Sequence, residues 1–174
     1  MFIAAIVSLV VLVPLTSDAK ASAKPSATST SSQSCRQVVE SFYDWYLLKA
    51  NIRGWGSEEA VRRNKADFSP SLFRALNANA MAQDRSRRIV GPDFDPFFNA
   101  QTTFARYALG EPHFKNRNCF ITIKFTSPGI VMTSAAEPEL ALQSGRWVFV
   151  NFHYGKSRWS DDENLLSILH NSGF

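Results

Sequence analysis

The spacing of hydrophobic and polar residues predicts a helix as the centre of the fold. Between Val38 and Tyr46, apolar residues recur every three or four positions, which is typical of a helix that buries one wide face. Residues 42–48 contain four aromatic residues and two leucines. We therefore expect this helix, beginning at Cys35, to form the spine of the core.

Two further helices are predicted before the chain becomes irregular. Ser57 is the expected N-cap of a short charged helix that ends near Lys65, with acidic residues in its first turn. Ser69 and Pro70 repeat this start signal, with serine as the cap and proline at the first helical position. The third helix is expected to extend to about residue 84.

The segment 89–101 contains Gly-Pro and Asp-Pro breakers and three phenylalanines. Breakers of this kind predict a loop rather than a helix or strand. Large apolar residues in a loop need cover from water. They are expected either to close the open end of a pocket or to pack beneath the edge of a sheet.

The second half of the chain alternates with the period of two that is typical of strands. Strands are predicted at 104–109, at 118–126, at 130–133 and 140–143 as one interrupted strand or two, and at 146–154. The last of these is apolar on both faces, which favours a central strand. Ser144 and Gly145 are the predicted turn before it, and residues 161–163 are predicted to cap a terminal helix. Helices followed by antiparallel hairpins predict an α+β fold.

The amino-terminal segment has the pattern of a signal peptide, predicted over residues 1–23. Residues 2–15 are apolar or small, a run shorter than the roughly 20 residues needed to span a bilayer. Small residues that follow suit cleavage after Ala19 or Ala23, although no basic residue precedes the run. The mature protein is therefore expected to be periplasmic or secreted.

Two more segments complete the predicted domain organisation. Residues 24–34 are rich in Ser, Thr, Ala and Lys and lack any large apolar residue, which predicts a disordered linker. Residues 35–174 are expected to form a single domain. A lipid anchor would require a cysteine directly after the apolar run, and the first cysteine is Cys35, so no stable membrane anchor is expected after cleavage.

Cys35 and Cys119 are the two cysteines of the chain. An even number of cysteines in an exported protein favours a disulfide, which would fasten the first helix to the sheet. Two buried free thiols are the alternative. Two cysteines so far apart without matching histidines do not predict a metal site, and we expect neither metal nor cofactor.

The charge pattern argues against a nucleic-acid partner. The formal net charge is +4, and the basic residues cluster only at 62–65 and 85–88. Such short runs are typical of solvated helix faces. No basic stripe interleaved with aromatic residues is present, so no nucleic acid is expected as a partner.

Several stretches together resemble a family of small exported proteins of the bacterial envelope, often lipoproteins, whose function is unassigned. The similarity covers most of residues 36–171. The stretches that carry it, in order, are 42–47, 68–72, 95–97 with Gln101, 145–148, 152–154 and 165–169. The resemblance implies the cone fold of nuclear transport factor 2 and the cystatin-like proteins, a curved antiparallel sheet wrapped around a long N-terminal helix with a C-terminal helix. This chain differs from the lipoproteins in lacking the acylated cysteine.

An enzyme with this fold would need an acid or base inside the cone and a donor to stabilise developing charge. The catalytic candidates are Asp44, His153 and Tyr43. Asp93 and Asp95 lie beside prolines, where aspartate commonly caps a turn by bonding to its own backbone. The calcium-loop pattern fails, because Phe97 and Phe98 occupy positions that require an oxygen ligand and a glycine.

The aromatic content is sufficient either to fill a core or to line an apolar cavity. If a pocket exists, its predicted lining is Tyr43, Tyr46, Phe97, Phe98 and Trp147. The leading hypothesis is a non-enzymatic exported domain that binds an envelope protein or a small apolar ligand. The alternatives are a small hydrolase or isomerase that uses an acid or base in the pocket, and a periplasmic immunity-type inhibitor.

Overall fold

The fold is described here from a computed structural model, which covers residues 27–52, 56–86, 91–129, 134–155 and 163–172. Side chains are described from Cys35 onward. The predicted signal peptide and its cleavage sites lie outside the described residues, as does the predicted strand at 130–133. These expectations therefore stay predictions.

The helices follow the predicted order. They are α1 (Ala27–Ala50), α2 (Ser57–Arg63), α3 (Pro70–Ser86) and α4 (Leu165–Asn171), with a 3₁₀ turn at Lys65–Asp67. The start of α3 is as predicted, since Ser69 Oγ accepts a hydrogen bond from the Leu72 amide at 3.2 Å. Helix α1 begins eight residues before Cys35, inside the predicted linker.

Two predicted caps are wrong in detail. Gly56, and not Ser57, is the N-cap of α2, and it makes no side-chain hydrogen bond. The N-cap of α4 is Asn164, whose side chain accepts a hydrogen bond from the Ser167 amide at 3.0 Å. The amide oxygen of Asn164 is thus the group that satisfies the first turn of α4, and the preceding Glu163 belongs to a strand.

Within the described residues, seven strands form one antiparallel sheet. Strand β5 lies at its centre, with β3 and β4 end to end along one edge and β6 along the other. Outside these, β2 pairs with β3, β1 with β4, and β7 with β6. The strands are β1 (Arg106–Leu109), β2 (His113–Lys115), β3 (Asn118–Phe120), β4 (Ile123–Thr126), β5 (Ser134–Gln143), β6 (Arg146–Gly155) and β7 (Glu163–Asn164).

The predicted strand at 118–126 is divided into β3 and β4 because of the residue that lies opposite its middle. Pro138 of β5 has no amide hydrogen, so it can only accept from Ile121, at 3.4 Å. A proline inside a sheet removes a ladder hydrogen bond, and the pairing breaks there. By contrast, β5 runs on without interruption through the predicted segment 140–143.

The turn between β5 and β6 is as predicted. Ser144 and Gly145 both adopt positive φ angles, 49° and 77°. Two such residues form the tight hairpin turn whose twist matches that of the strands it joins. Strand β6 then extends over ten residues between β5 and β7.

The predicted disulfide between Cys35 and Cys119 is confirmed. It joins the first helix to β3, across 84 residues of chain and a Cα–Cα distance of 6.6 Å. Both cysteines are fully buried. The beginning of the buried part of α1 is therefore held covalently against the sheet.

One hydrophobic core joins α1, α2, α3, α4 and one face of the sheet. Phe42 lies at its centre, with its ring 5.0 Å from that of Phe149 on β6 and 5.2 Å from that of Phe97 in the loop. The predicted α+β class with an antiparallel sheet is confirmed. The cone shape and the sheet wrapped around a long first helix stay predictions.

Candidate functional site

Four of the five residues predicted to line a pocket are packed against one another in the core. Tyr43, Tyr46, Phe97 and Phe98 are all fully buried. The ring of Tyr46 lies 5.2 Å from that of Phe97 and 5.0 Å from that of Phe98. The loop phenylalanines thus fill the space beside α1, and these four residues line none of the clefts described below.

Three tyrosine hydroxyls hold this loop in place. Tyr43 donates to the Phe97 carbonyl oxygen (2.8 Å), Tyr46 to Asp95 Oδ2 (2.5 Å) and Tyr154 to the Pro96 carbonyl oxygen (2.9 Å). Backbone carbonyl groups buried in a core need such partners, because an unpaired buried polar group destabilises the fold. The hydroxyls are what allow an irregular segment to lie inside the domain.

Asp95 caps the turn in the way the sequence predicted. Its Oδ1 accepts hydrogen bonds from the amides of Phe97 at 2.8 Å and Phe98 at 3.2 Å. Burial raises the pKa of this carboxyl, while the bonds from Tyr46 and the two amides oppose that shift. The pKa of Tyr46 is raised above its ordinary value, mainly by burial and to a smaller extent by the nearby Asp95 carboxylate. This phenol therefore keeps its proton and remains a donor.

The structure does not bring the three catalytic candidates together. Asp44 is exposed on α1 and accepts a hydrogen bond from the Tyr107 hydroxyl. Tyr43, its neighbour in sequence, is buried in the core. His153 is partly buried on β6 with its Nε2 2.9 Å from Glu139 Oε2. Neither Asp44 nor His153 lines any of the clefts described below.

A first cleft, which we call the aromatic cleft, lies between α1 and the β5–β6 hairpin and has a volume of about 590 Å³. Its apolar surface is formed by Phe42, Trp45 and Trp147, and it includes the fifth predicted pocket residue. The complete lining is Gln37, Val38, Ser41, Phe42, Trp45, Asn64, Asp67, Gly145, Arg146 and Trp147.

One ion pair lies at the rim of the aromatic cleft. Arg146 Nη2 is 3.5 Å from Asp67 Oδ1, and both side chains are partly exposed. Burial raises the pKa of the Asp67 carboxyl, and the Arg146 guanidinium opposes that shift. The cleft therefore offers an apolar floor beside one cationic and one anionic group.

From its spacing on α1, Trp45 was expected in the core and not at a site. The sequence does contain a pattern that indicates the position of Trp45 at the aromatic cleft. Gln37, Ser41 and Trp45 are spaced four residues apart and so lie on one face of α1. Gln37 and Ser41 are exposed, and Trp45 is partly buried. A tryptophan aligned with exposed polar residues marks the edge of the buried face rather than its centre.

A second cleft, which we call the acidic cleft, lies between α2, α3 and the loop 92–103 and has a volume of about 700 Å³. Among the described residues, its lining includes three carboxylates, those of Glu58, Asp93 and Asp95, and no lysine, arginine or histidine. The complete lining is Gly56, Ser57, Glu58, Val61, Leu76, Asn79, Gln83, Pro92, Asp93, Phe94, Asp95, Pro96, Ala100, Gln101, Thr102 and Thr103.

Asn79 on α3 is the unusual residue of the acidic cleft. Only 8% of its surface is exposed, and its Oδ1 has no hydrogen-bond partner among the described residues. Nearby, Gln101 Nε2 donates to Asp93 Oδ2 at 3.2 Å. The wall of this cleft thus combines paired polar groups with one buried amide whose oxygen is unpaired.

Two other features are absent from the described ranges. None of their helices is both long enough and apolar enough to cross a bilayer. In those ranges, no group of three or more His, Cys, Asp or Glu residues is placed to hold a metal ion.

Comparison with protein-family models, with curated proteins and with solved structures gives no match. The resemblance to exported envelope proteins therefore stays a prediction.

Proposed function

We propose that this protein is an exported, non-enzymatic binding domain of the bacterial envelope, and that its aromatic cleft receives the apolar part of a partner protein or a small apolar ligand. The observation that carries the proposal is the filled interior. Since Phe97 and Phe98 occupy the space beside α1, a ligand has to bind at the surface. The Cys35–Cys119 disulfide fits the oxidising environment of an exported protein.

The floor of the aromatic cleft is held rigidly from below. The ring of Phe42 is stacked on Tyr46 at 5.6 Å and meets Phe68 edge to face at 5.8 Å. Trp147 is only 8% exposed, with Phe114 6.1 Å away. A preformed apolar floor favours binding, because little side-chain freedom is lost when the ligand arrives.

The polar rim supplies orientation to this apolar floor. Ligand sites typically combine aromatic walls with a few polar groups that fix the pose. Arg146 and Asp67 provide one group of each charge. Their ion pair is exposed, so breaking it to let either group bind a ligand costs little free energy. The catalytic candidates Asp44 and His153 lie elsewhere, so the cleft is better suited to binding than to acid–base chemistry.

Binding can be tested with anilinonaphthalene sulfonate, a fluorescent apolar anion, titrated into the purified protein with its disulfide intact. We expect saturable fluorescence enhancement that Trp45→Ala weakens about tenfold, since truncating an aromatic anchor typically removes a kilocalorie or more per mole of binding free energy. Leu48→Ala is the matched control, because Leu48 lies on the same helix, is 74% exposed and does not line the cleft.

Equal affinities for the two variants would refute the assignment of the aromatic cleft. To distinguish a protein partner from a small ligand, a photocrosslinking residue can be placed at the exposed Ser41 of the cleft and compared with one at Leu48. A crosslinked envelope protein obtained only from position 41 would identify a protein partner. The hydrolase or isomerase and the immunity-type inhibitor stay alternative predictions.

A further inference from the structure

The acidic cleft contrasts with the charge of the rest of the protein. The chain has a formal net charge of +4, yet the described residues that line this cleft include three carboxylates and no basic side chain. Charges of one sign in a concave surface focus the electrostatic field there. The described carboxylates therefore favour the approach of a cation to this cleft.

A second and independent feature, the buried amide of Asn79, also indicates a ligand. The Oδ1 atom has no hydrogen-bond partner among the described residues, although the side chain is more than nine-tenths buried. Leaving such an acceptor unpaired destabilises the folded state. A ligand that donates a hydrogen bond in the cleft would supply the missing partner.

The position of Gly91 gives this amide its space. Gly91 has a φ angle of 84°, and a Cβ atom added there would lie 1.9 Å from Asn79 Oδ1. Any side chain at residue 91 would displace the amide. In the structure Asn79 Oδ1 faces Gly91, and a half-turn about χ2, a broad torsion in asparagine, would direct it toward the cleft.

The opposite wall of the cleft is fixed before any ligand binds. Asp95 is held by Tyr46 and by two backbone amides. Phe94 meets the ring of Tyr154 edge to face at 5.4 Å. An aromatic ring next to carboxylates is a favourable environment for an organic cation, which is attracted to both.

We propose that the acidic cleft binds an organic ammonium ion. The Asn79 oxygen accepts one N–H group, Glu58 and Asp93 balance the positive charge, and Phe94 offers a ring to the alkyl chain. An ammonium ion suits the cleft better than a metal ion, because the carboxylates there form no group placed to ligate a metal among the described residues. Among the described residues this site shares no lining residue with the aromatic cleft, so it is independent of the function proposed above.

The test uses spermidine as the probe and calorimetric titration of the full-length protein with its disulfide intact. We expect saturable binding that weakens at higher salt, since Glu58 and Asp93 are exposed and their charges are screened. The Asn79→Leu variant should bind at least tenfold more weakly. The same substitution should raise the melting temperature, because it removes an unpaired buried polar group from a site of similar shape.

The charge requirement is tested with the double variant Glu58→Gln and Asp93→Asn, which should also bind at least tenfold more weakly. Glu111→Gln is the matched control, since Glu111 is exposed and lies outside the cleft. It should bind spermidine as the unmodified protein does. If Asn79→Leu does not fold, this pair of variants decides the question.

Three results would overturn the proposal. The first is the absence of saturable spermidine binding. The second is a loss of affinity in Glu111→Gln equal to that in the double variant, which would indicate diffuse attraction. The third is an Asn79→Leu protein that binds normally or melts at a lower temperature, which would make the amide a structural residue. None of these results bears on binding of the fluorescent anion in the aromatic cleft.

Discussion

The aromatic and acidic clefts flank the same filled core but are built in opposite ways. The aromatic cleft rests on rings that belong to the core itself, Phe42 and Trp147. The acidic cleft is walled by the loop 92–103, which hydrogen bonds from three tyrosines fix in place. One cleft is therefore held by apolar packing and the other by a small polar network.

This difference predicts how each cleft responds to change. Packing among many rings is distributed, so the loss of one contact has a local effect. A polar network in a core depends on each member, because a single missing donor leaves a buried acceptor unpaired. The acidic cleft should be the more sensitive to single-atom substitutions, and the aromatic cleft to changes that move α1.

The largest expected effect is that of removing the disulfide. The double variant Cys35→Ser and Cys119→Ser opens a loop of 84 residues, for which the chain-entropy model gives a loss of about 4–5 kcal/mol. Urea unfolding measures this loss. Because Cys35 anchors the helix that forms one wall of the aromatic cleft, binding of the fluorescent anion should weaken more than binding of spermidine. Equal weakening would contradict the distinction between the two clefts.

The second effect concerns the polar network. Tyr46→Phe removes the donor to Asp95 Oδ2 and should lower the free energy of unfolding by about 1–3 kcal/mol, the range for a buried acceptor left unpaired. Spermidine binding should weaken and binding of the fluorescent anion should not. Tyr107→Phe is the control, since it removes a hydroxyl that donates to the exposed Asp44. Identical losses in both variants would show that the acidic cleft does not depend on this network.

A third comparison uses pH. Burial raises the pKa of Asp95, so the folded state holds this proton more tightly than the unfolded state does. That contribution to stability is complete below the ordinary pKa of the carboxyl and is lost as the pH rises through the raised value. In Asp95→Asn, the free energy of unfolding should therefore fall less steeply over this pH range. Denaturant titrations at several pH values measure the slope.

The pH dependence of the free energy of unfolding can also be measured for Asp67, the carboxylate of the aromatic cleft. Burial also raises the pKa of Asp67, but Arg146 opposes the shift and the side chain is 36% exposed. Asp67→Asn should consequently flatten the pH dependence less than Asp95→Asn. If Asp67→Asn flattened the pH dependence more than Asp95→Asn does, Asp67 and not Asp95 would be the carboxyl with the larger rise in pKa on folding.

The smallest expected effect on stability is that of Arg146→Ala. The pair with Asp67 is exposed and 3.5 Å long, and such pairs contribute less than about 1 kcal/mol. Binding of the fluorescent anion should nevertheless weaken, because its sulfonate loses a cation at the rim, while spermidine binding stays unchanged. A loss of spermidine affinity, measured by the same calorimetric titration, would contradict the separation of the two sites.

Local signals in the sequence predicted the elements that depend on neighbouring residues. Ser69 and Pro70 start α3, and Ser144 and Gly145 form the hairpin turn, because caps and tight turns are satisfied within a few residues. The break between β3 and β4 was missed, since its cause, Pro138, lies on another strand. A partner across the sheet is not visible in the pattern of one strand.

The candidate sites were less predictable for a related reason. The aromatic content predicted a shared environment for Tyr43, Tyr46, Phe97 and Phe98, but it could not distinguish a lined pocket from a filled core. Trp147 was assigned to the same group and lies instead in the aromatic cleft. Asn79 carried no sequence signal, because an asparagine on a helix is ordinarily exposed.

The α+β class, the disulfide and the aromatic helix in the core were predicted from the sequence, because they follow from periodicity and residue chemistry. The filled interior was not predictable in this way, because it depends on the packing of distant segments. The loop enters the core because tyrosines located 49, 54 and 58 residues away in the chain meet its polar groups. Hydrogen bonds over such separations depend on how the elements pack, and packing is a property of the whole chain and not of any segment.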